Sequence, residues 1–510
     1  MTWRAWESAP PRGAASVRVA QVWKGGRMIE ALRDRLREVG FTVDAVFGLI
    51  GPDAHRALAR NETTPARRAT TDGSPLSTLV RLFQLQLDVP RGQVEQALPG
   101  LVEPLAAERL LAVDGDDVRA LVDVRPYGDE THDWWVVADL TPGLDQRPVE
   151  VGPEHVLGIS EASSSLAQLT VREPVARALD LGTGCGVQAL HLSTHAREVV
   201  GTDVNPRALW MAGLTAELND VGLDVRDGSL YEPVVGERFD LVATNPPFVV
   251  SPPSEERLVY RETAFPGDDV VRRVVTGAAD HLVEGGRCQV LAAWVHDADL
   301  TWQERLGGWV AGTGLDAWVV QREVLDLPAY TEMWLADAGL RHVPDYPQHY
   351  ARWLDWFAEQ GIAAMGFGWI SLHRTDREEP SVRLEEWPGA VTQPVADAVV
   401  EHERRVDALA TGAVLDVAWR HAPGLLQESL SRPGAAEPER IVLHQDHGIC
   451  RSRVADTVTA GLVGASDGDL TAAQILDALA VLLERDAEAL RADYAPVVAE
   501  LVQDGFLTPL

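Results

Sequence analysis

Along the chain the spacing of apolar residues switches from helical to alternating and back. In MIEALRDRLREVG the apolar positions recur every three to four residues, and Gly40 stands where a glycine ends a helix. LSTLVRLFQLQL, residues 76–87, predicts a second amphipathic helix, and VPRGQVEQAL opens a third. VRALVDVRPYGDETHDWWVVADL, 118–140, alternates as strand, turn and strand around Tyr127-Gly128-Asp129. From 150 to 375, short apolar runs alternate with helical patterns, the signature of a mostly parallel α/β sheet. ARALDLGTG, EVVGTDVN, FDLVATN and GRCQVLAAWV are its strand candidates. TDREEPSVRLEEWPGAVTQPVADAV, 376–400, is charged, broken by proline, and reads as a connector. The pattern after it is helical again. Thr471-Ala472-Ala473-Gln474 is a capping-box signature ahead of Ile475, Leu476, Leu479, Leu482 and Leu483, and Gly505-Phe506-Leu507 turns the chain into a short apolar tail.

This patterning divides the chain into five parts: a leader at 1–27, expected to be disordered; a helical, winged-helix-like region with a β-hairpin at 28–149; the α/β domain at 150–375; a linker at 376–400; and a second helical, winged-helix-like region at 401–510. At 510 residues and 46% hydrophobic content the chain is too long for one core. No apolar run reaches the roughly 18 residues of a membrane span. The N-terminus lacks the apolar stretch of a secretory signal. Cys185, Cys288 and Cys450 lie far apart at no ligand spacing, which fits a reducing cytoplasm and gives no support for a metal site. The net charge of −32 argues against wholesale binding to bare nucleic acid. Residues 1–80 are nevertheless net positive, so a local basic contact stays open. With so acidic a chain, the winged-helix-like parts are expected to be protein contacts.

The chemistry concentrates in the α/β region. Asp180-Leu181-Gly182-Thr183-Gly184-Cys185-Gly186 follows an apolar run and precedes the helical VQALHLSTHA. Its glycines allow a tight turn and close approach of a ligand to the backbone. The spacing differs from the dinucleotide G-x-G-x-x-G, and no Lys-Ser/Thr follows, so a phosphate-binding P-loop is excluded. Thr202-Asp203-Val204-Asn205 ends the next strand about twenty residues on, where a carboxylate accepts the two hydroxyls of a ribose. Asp227-Gly228 falls after a short third segment, where an adenine amino group would be read; Asp224 and Asp227 as simple turn residues is the alternative. Asn245-Pro246-Pro247-Phe248 stops the fourth strand at the same edge.

In that order these four motifs resemble the class I S-adenosylmethionine-dependent methyltransferases. More narrowly, they are similar to the branch with Asn-Pro-Pro-aromatic, which holds release-factor and ribosomal-protein glutamine and rRNA N-methyltransferases. The resemblance covers 150–375. It implies a Rossmann-like, seven-stranded domain and S-adenosyl-L-methionine as cofactor. Asp180, Gly182, Thr183, Gly184, Gly186, Asp203, Val204, Asn205, Asp227, Gly228 and Asn245 would hold that cofactor, and Asn245, Pro246, Pro247 and Phe248 the acceptor. Related enzymes cover the cofactor's methionine end with the segment before the first strand, which makes Gln168 and Thr170 cofactor candidates and Ser164 a substrate candidate. Tyr260 and Arg261 would border the acceptor pocket, with Gly267-Asp268-Asp269 beyond them. The expected activity is methylation of a planar amide or amino nitrogen of a macromolecule, a translation protein or rRNA, in the cytoplasm and without metal or membrane. A small-molecule acceptor and a non-catalytic, cofactor-binding scaffold are the alternatives. Trp353, Trp356, Phe357 and Trp369 read as packing residues, and the glycines of 361–370 as sites of close backbone approach.

Overall fold

The computed structural model describes residues 26–146, 151–253, 265–410, 412–434 and 438–510. Residues 1–25 of the expected leader, and Tyr260 and Arg261, lie outside the described residues. At the centre is an eight-stranded sheet: β1 (Val175–Leu181), β2 (Ala196–Asp203), β3 (Asp224–Asp227), β4 (Phe239–Thr244), β5 (Leu282–Asp297), β6 (Asp316–Asp326), β7 (Ile362–His373) and β8 (Val382–Glu386). Their order is β3-β2-β1-β4-β5-β7-β6-β8, parallel except for β7, which runs antiparallel to both neighbours. The helices between them include α1 (Glu161–Leu169), α2 (Val187–Ser193), α3 (Pro206–Leu218), α4 (Asp269–His281), α5 (Trp302–Val310), α6 (Leu327–Asp337) and α7 (Tyr346–Gln360). Helices on both faces explain why β1 is buried without alternation from Ala178 to Leu181.

The strand order reverses between β1 and β4, and open α/β sheets bind ligands at such a point. Leu181 pairs with Thr202 on one side and with Thr244 on the other. The loops after β1, β2 and β4 therefore leave the same edge level with one another. The Thr244 hydroxyl donates to the Leu181 carbonyl at 2.6 Å, locking that register. On β7, a side chain at Gly368 would collide with the Val320 carbonyl, and one at Gly366 with the Gln321 amide and the Trp294 indole, which is the expected close approach. Trp353 and Phe357 are buried with Tyr330 and Met365, and Trp369 is buried in the opposite layer; all three pack as expected.

The sheet carries one strand more than the seven expected, and it comes from the stretch read as a linker. Val382–Glu386 pairs in parallel with β6, Ala317 opposite Val382. Its charges obscured it, yet they alternate with the pleat: Leu384 joins the apolar core, while Arg383 and Glu385 make ion pairs on the other face. The reading of 401–510 as wholly helical is also corrected. The helix begins earlier, at Ala396–Ala410, and Leu425–Leu430, Arg440–Gln445 and Ser452–Ala455 form a three-stranded antiparallel sheet. Leu425–Leu430 is half-buried to exposed along its whole length, so burial imposed no alternation to read. Helices Thr457–Ala465, Ala472–Leu482 and Ala487–Gln503 follow, the second opened by the expected Thr471/Gln474 capping box.

On the N-terminal side, Gly26–Val39 and Val43–Leu58 are the longest helices, and Gly40 has φ 71° as a helix-ending glycine should. The stretch 118–140 divides differently from its expected single hairpin. Asp117–Ala120 pairs with Leu111–Asp114 just before it and with Val89–Pro90 further back, and the hairpin proper is Asp123–Gly128 with Asp133–Ala138. At its tip the Asp129 carboxylate accepts the backbone N–H groups of Thr131 and His132, each at 2.9 Å. The hairpin lies on α3. Trp135 N–H donates to Asn219 Oδ1 at 2.9 Å, Asn219 Nδ2 returns to the Trp135 carbonyl at 2.7 Å, and Val137 N–H donates to the Thr215 hydroxyl at 3.0 Å.

Candidate active site

The glycine loop turns sharply because three of its residues lie in the left-handed region: Gly182, Gly184 and Gly186 have φ of 80°, 55° and 86°. A Cβ on Gly186 would stand 3.3 Å from the Ala212 Cα, so this glycine also lets α2 close on α3. At Gly184 the space beside the backbone is open, and its N–H donates to Asp203 Oδ2 at 3.0 Å. Two further backbone bonds, from Gly182 and Thr183 N–H to the Thr202 carbonyl, both 2.8 Å, hold the loop against the end of β2.

Asp180 and Asp203 take different parts. Asp180 is fully buried. Its Oδ2 accepts the Thr183 hydroxyl at 2.7 Å and the Ala189 N–H at 3.0 Å, so it braces the loop from inside rather than facing a ligand. Burial pushes its pKa up to about 7 against those hydrogen bonds. Asp203 is half-buried at the strand tip. Burial raises it too, opposed by the N–H groups of Asn205 and Gly184. A carboxylate has about four lone-pair directions, so acceptor capacity remains for two hydroxyls.

Val204 is exposed and Asp227 lies exposed across from Asp203 on β3, with Gly228 N–H donating to the Asp203 carbonyl at 3.0 Å. Asn205 departs from its expected role. Its Oδ1 caps α3 through Arg207 N–H at 3.0 Å and its Nδ2 donates to the Glu154 carbonyl at 2.9 Å, so both ends of the amide serve the fold. Thr170 is likewise committed, its hydroxyl donating to the Leu166 carbonyl at 2.7 Å. Gln168 is half-buried on the last turn of α1. Ser164 stands beside the Tyr127 hydroxyl of the N-terminal hairpin.

At the end of β4, Asn245 follows Thr244 directly, one residue past the register partner of Leu181, where the glycine loop also leaves the sheet. Its Oδ1 is buried and has no hydrogen-bond partner among the described residues. A native fold rarely leaves such an acceptor empty, since burying it unpaired costs about 1–3 kcal/mol. Pro246 is buried and Pro247 half-buried, and Phe248 packs between two apolar clusters with its ring edge-on to Phe367 at 6.4 Å. The segment is braced from behind: the fully buried Tyr330 of α6 accepts the Val250 N–H at 2.8 Å.

Two supporting residues were not singled out from sequence. Tyr330 gave no signal. Gln188, buried with an unpartnered Oε1 and donating from Nε2 to the Ser163 carbonyl at 2.6 Å, was legible as a polar residue in the first turn of an apolar helix. Asp268 and Asp269, expected at the acceptor pocket, prove to be ion-pair residues. Asp268 is buried, binds Arg305 with both oxygens and accepts the Val295 N–H at 2.8 Å, while Asp269 pairs with Arg272 and Arg273. Among the described residues no group of three or more His, Cys, Asp or Glu side chains is placed to hold a metal, and no helix is long and apolar enough to cross a membrane.

A sheet of this order, with a glycine loop, an acidic strand tip and an Asn-Pro-Pro-Phe turn at its reversal, is similar to the class I methyltransferase fold. Residues 158–307 match the family described as "Methyltransferase small domain", and 38–121 match "Domain of unknown function (DUF7059)". The chain is 30% identical over 214 residues to the ribosomal protein uL3 glutamine methyltransferase of Bradyrhizobium diazoefficiens, covering 37% of this chain and 65% of that one. It is 30% identical over 129 residues to the ribosomal RNA small subunit methyltransferase C of Alcanivorax borkumensis, covering 24% and 36%. A solved methyltransferase from Pyrococcus furiosus aligns at 16% identity with a TM-score of 0.27, over 44% of this chain and 88% of its own. The chain spans about half the length of the curated relatives it matches.

Proposed function

We propose that the protein transfers a methyl group from S-adenosyl-L-methionine to a planar amide or amino nitrogen of a macromolecule. The observation that carries this reading is the buried, unpartnered Asn245 Oδ1 beside the glycine loop. The bound cofactor supplies an electrophilic methyl group on a positively charged sulfur. Gly182, Gly184, Asp203 and Asp227 are the residues we assign to hold it, with Gly228, Val204 and Gln168 lining it. The open space at Gly182 and Gly184 and the spare acceptor capacity of Asp203 fit such a group.

The acceptor nitrogen is a poor nucleophile because its lone pair is delocalised. Asn245 Oδ1 accepts one of its N–H groups and the Pro246 carbonyl the other. That pairing favours a pyramidal nitrogen, whose lone pair is free to form the new N–C bond. With the donor bound, the S–C electron pair would stay with the departing sulfur and the nitrogen's extra proton would go to water. The two prolines fix φ, so the Pro246 carbonyl is held in place before the acceptor arrives. Phe248 offers a face on which a planar group stacks. Holding the reactants in line supplies up to about 7–11 kcal/mol of the barrier.

The relatives' printed names, which cover protein glutamine and ribosomal RNA, support a macromolecular acceptor. The flanking regions, winged-helix-like in our reading, would select it. Labelled methyl transfer to extract of a strain lacking the gene, followed by identification of the labelled molecule, names the acceptor. Asn245→Ala should cut transfer by at least a hundredfold while leaving affinity for S-adenosylhomocysteine within about threefold, as for a residue that acts on the acceptor. Full activity of that variant would refute the assignment.

A further inference from the structure

We propose that Tyr127 is a positioning residue for the methyl donor: from the N-terminal hairpin it ties α1, the helix assigned to cover the donor, to α2, the helix that follows the glycine loop. The inference rests on the methyltransferase reading.

The Tyr127 hydroxyl lies 2.7 Å from His191 Nε2, and the Ser164 hydroxyl of α1 stands beside it. Burial of the ring, with the nearby Arg172, lowers the His191 pKa to about 4. The imidazole is therefore neutral at physiological pH and accepts the phenol's hydrogen at Nε2. Trp134 fixes the pair, 5.1 Å and edge-on to His191 and 6.1 Å from Tyr127, and His132 stacks on its outer side at 4.9 Å. The second tie between the two helices is the bond from Gln188 Nε2 to the Ser163 carbonyl. Gln188 and His191, three residues apart on one face of α2, thus meet the adjacent Ser163 and Ser164 of α1, and only the second meeting needs the N-terminal region. Beneath them Cys185 of the glycine loop and Val187 and Leu190 of α2 belong to the same apolar core as Val124 and Trp134 of the hairpin. The glycine loop's Cys185 thus packs in the hairpin's core, and Tyr127 stands where the hairpin, α1 and α2 meet.

The test uses the full chain. Tyr127→Phe keeps the ring and its packing and removes one hydroxyl. Loss of one net hydrogen bond should weaken S-adenosylhomocysteine binding, read by calorimetry, roughly three- to tenfold. The donor KM should rise by the same factor, while kcat at saturating donor and the acceptor KM stay within about twofold, a split that general loss of structure would not give. Ser164→Ala should shift donor affinity in the same direction, and the double variant should be no weaker than the weaker single one, because Tyr127→Phe already removes the Ser164 contact. Unchanged donor affinity in Tyr127→Phe, beside a wild type that binds, overturns the inference and leaves the methyltransferase reading standing. A wild type that binds neither donor nor analogue overturns that reading, and the inference with it.

Discussion

The two flanks of the α/β domain both pack on it through apolar residues, and differ in how much charge they add. The N-terminal region shares one continuous apolar core with it: Phe41, Leu32 and Trp135 cluster with Met211, Leu214 and Leu218 of α3 and with Cys185 of the glycine loop. The C-terminal region also has an apolar seat, Val395, Val399 and Ile449 clustering with Trp318, Val320 and Trp369 on one face of the sheet, but to this it adds a dense set of ion pairs. Glu385 on β8 accepts Arg451 at 2.7 Å, Arg383 at 2.9 Å and the Trp318 indole at 2.6 Å. Arg383 reaches on to Asp504 at 2.8 Å, and Arg287 binds Glu403 at 2.8 Å. His402 stacks on Trp318 at 4.4 Å. An apolar seam is non-directional and fuses two units into one core. A charged seam depends on geometry and weakens in salt. The N-terminal region is accordingly part of the core that carries the glycine loop, and the C-terminal region is the side that salt can loosen.

The largest effect should come from opening the apolar seam. Trp135 is buried, and its indole donates to the Phe41 carbonyl at 2.7 Å. Trp135→Ala leaves a cavity and an unpaired carbonyl, a loss of about 3–5 kcal/mol of stability. Because that core carries the glycine loop, cofactor affinity should fall with it. Denaturant unfolding alongside calorimetry would show the two losses together. Intact cofactor binding at that loss of stability would separate the regions that the shared core joins.

Breaking the charged seam should do less, and differently. Glu385→Gln leaves Arg383 and Arg451 facing each other without their shared carboxylate. Removing one partner of a buried ion pair costs about 3–5 kcal/mol, and the residual exposure of Glu385 places this change at about 2–3. Cofactor affinity should stay within about twofold, since the change touches only the docked side. Limited proteolysis should release the C-terminal region faster, and more so in high salt. Equal cleavage of variant and wild type would show that other contacts hold the seam.

The same contrast explains what could be read from the sequence. The central domain was legible because its signals are local and dense. Glycines at 182, 184 and 186, an aspartate at a strand tip and two prolines after a strand each announce a backbone constraint. The seams were not, since they depend on partners far along the chain. Arg383 and Glu385 look like linker charges until Arg451 and Asp504 fold beside them, which is why 382–386 passed for a connector. Asn205 passed for a cofactor ligand because its sequence position fits, and only its contacts with Arg207 and Glu154 show it capping a helix. Tyr127 read as a turn residue, and nothing within the hairpin points to His191, sixty-four positions on.

The smallest expected effect concerns pH, and here the two sides have opposite signs. Burial raises Asp180, under the glycine loop, from 3.8 to about 7. Between those values the folded protein keeps a proton that the unfolded chain has released, so this group's contribution falls as pH rises through the window. Glu385 goes the other way. Burial pushes it up, but Arg383, Arg451 and the Trp318 indole together hold it below 4.5. Its contribution is therefore present above 4.5 and lost as pH falls through its lower folded value. Asp180→Asn keeps an oxygen for the Thr183 hydroxyl and the Ala189 N–H while removing the titration. The cofactor half of the variant should gain about 1–2 kcal/mol over wild type on moving from about pH 5 to pH 8. The response of the C-terminal seam to acid should be untouched. Urea unfolding at the two pH values measures the first, and proteolytic release of the C-terminal region at low pH the second. An unchanged pH slope in Asp180→Asn would mean that the aspartate is ionised throughout and that the loop's hydrogen bonds outweigh its burial.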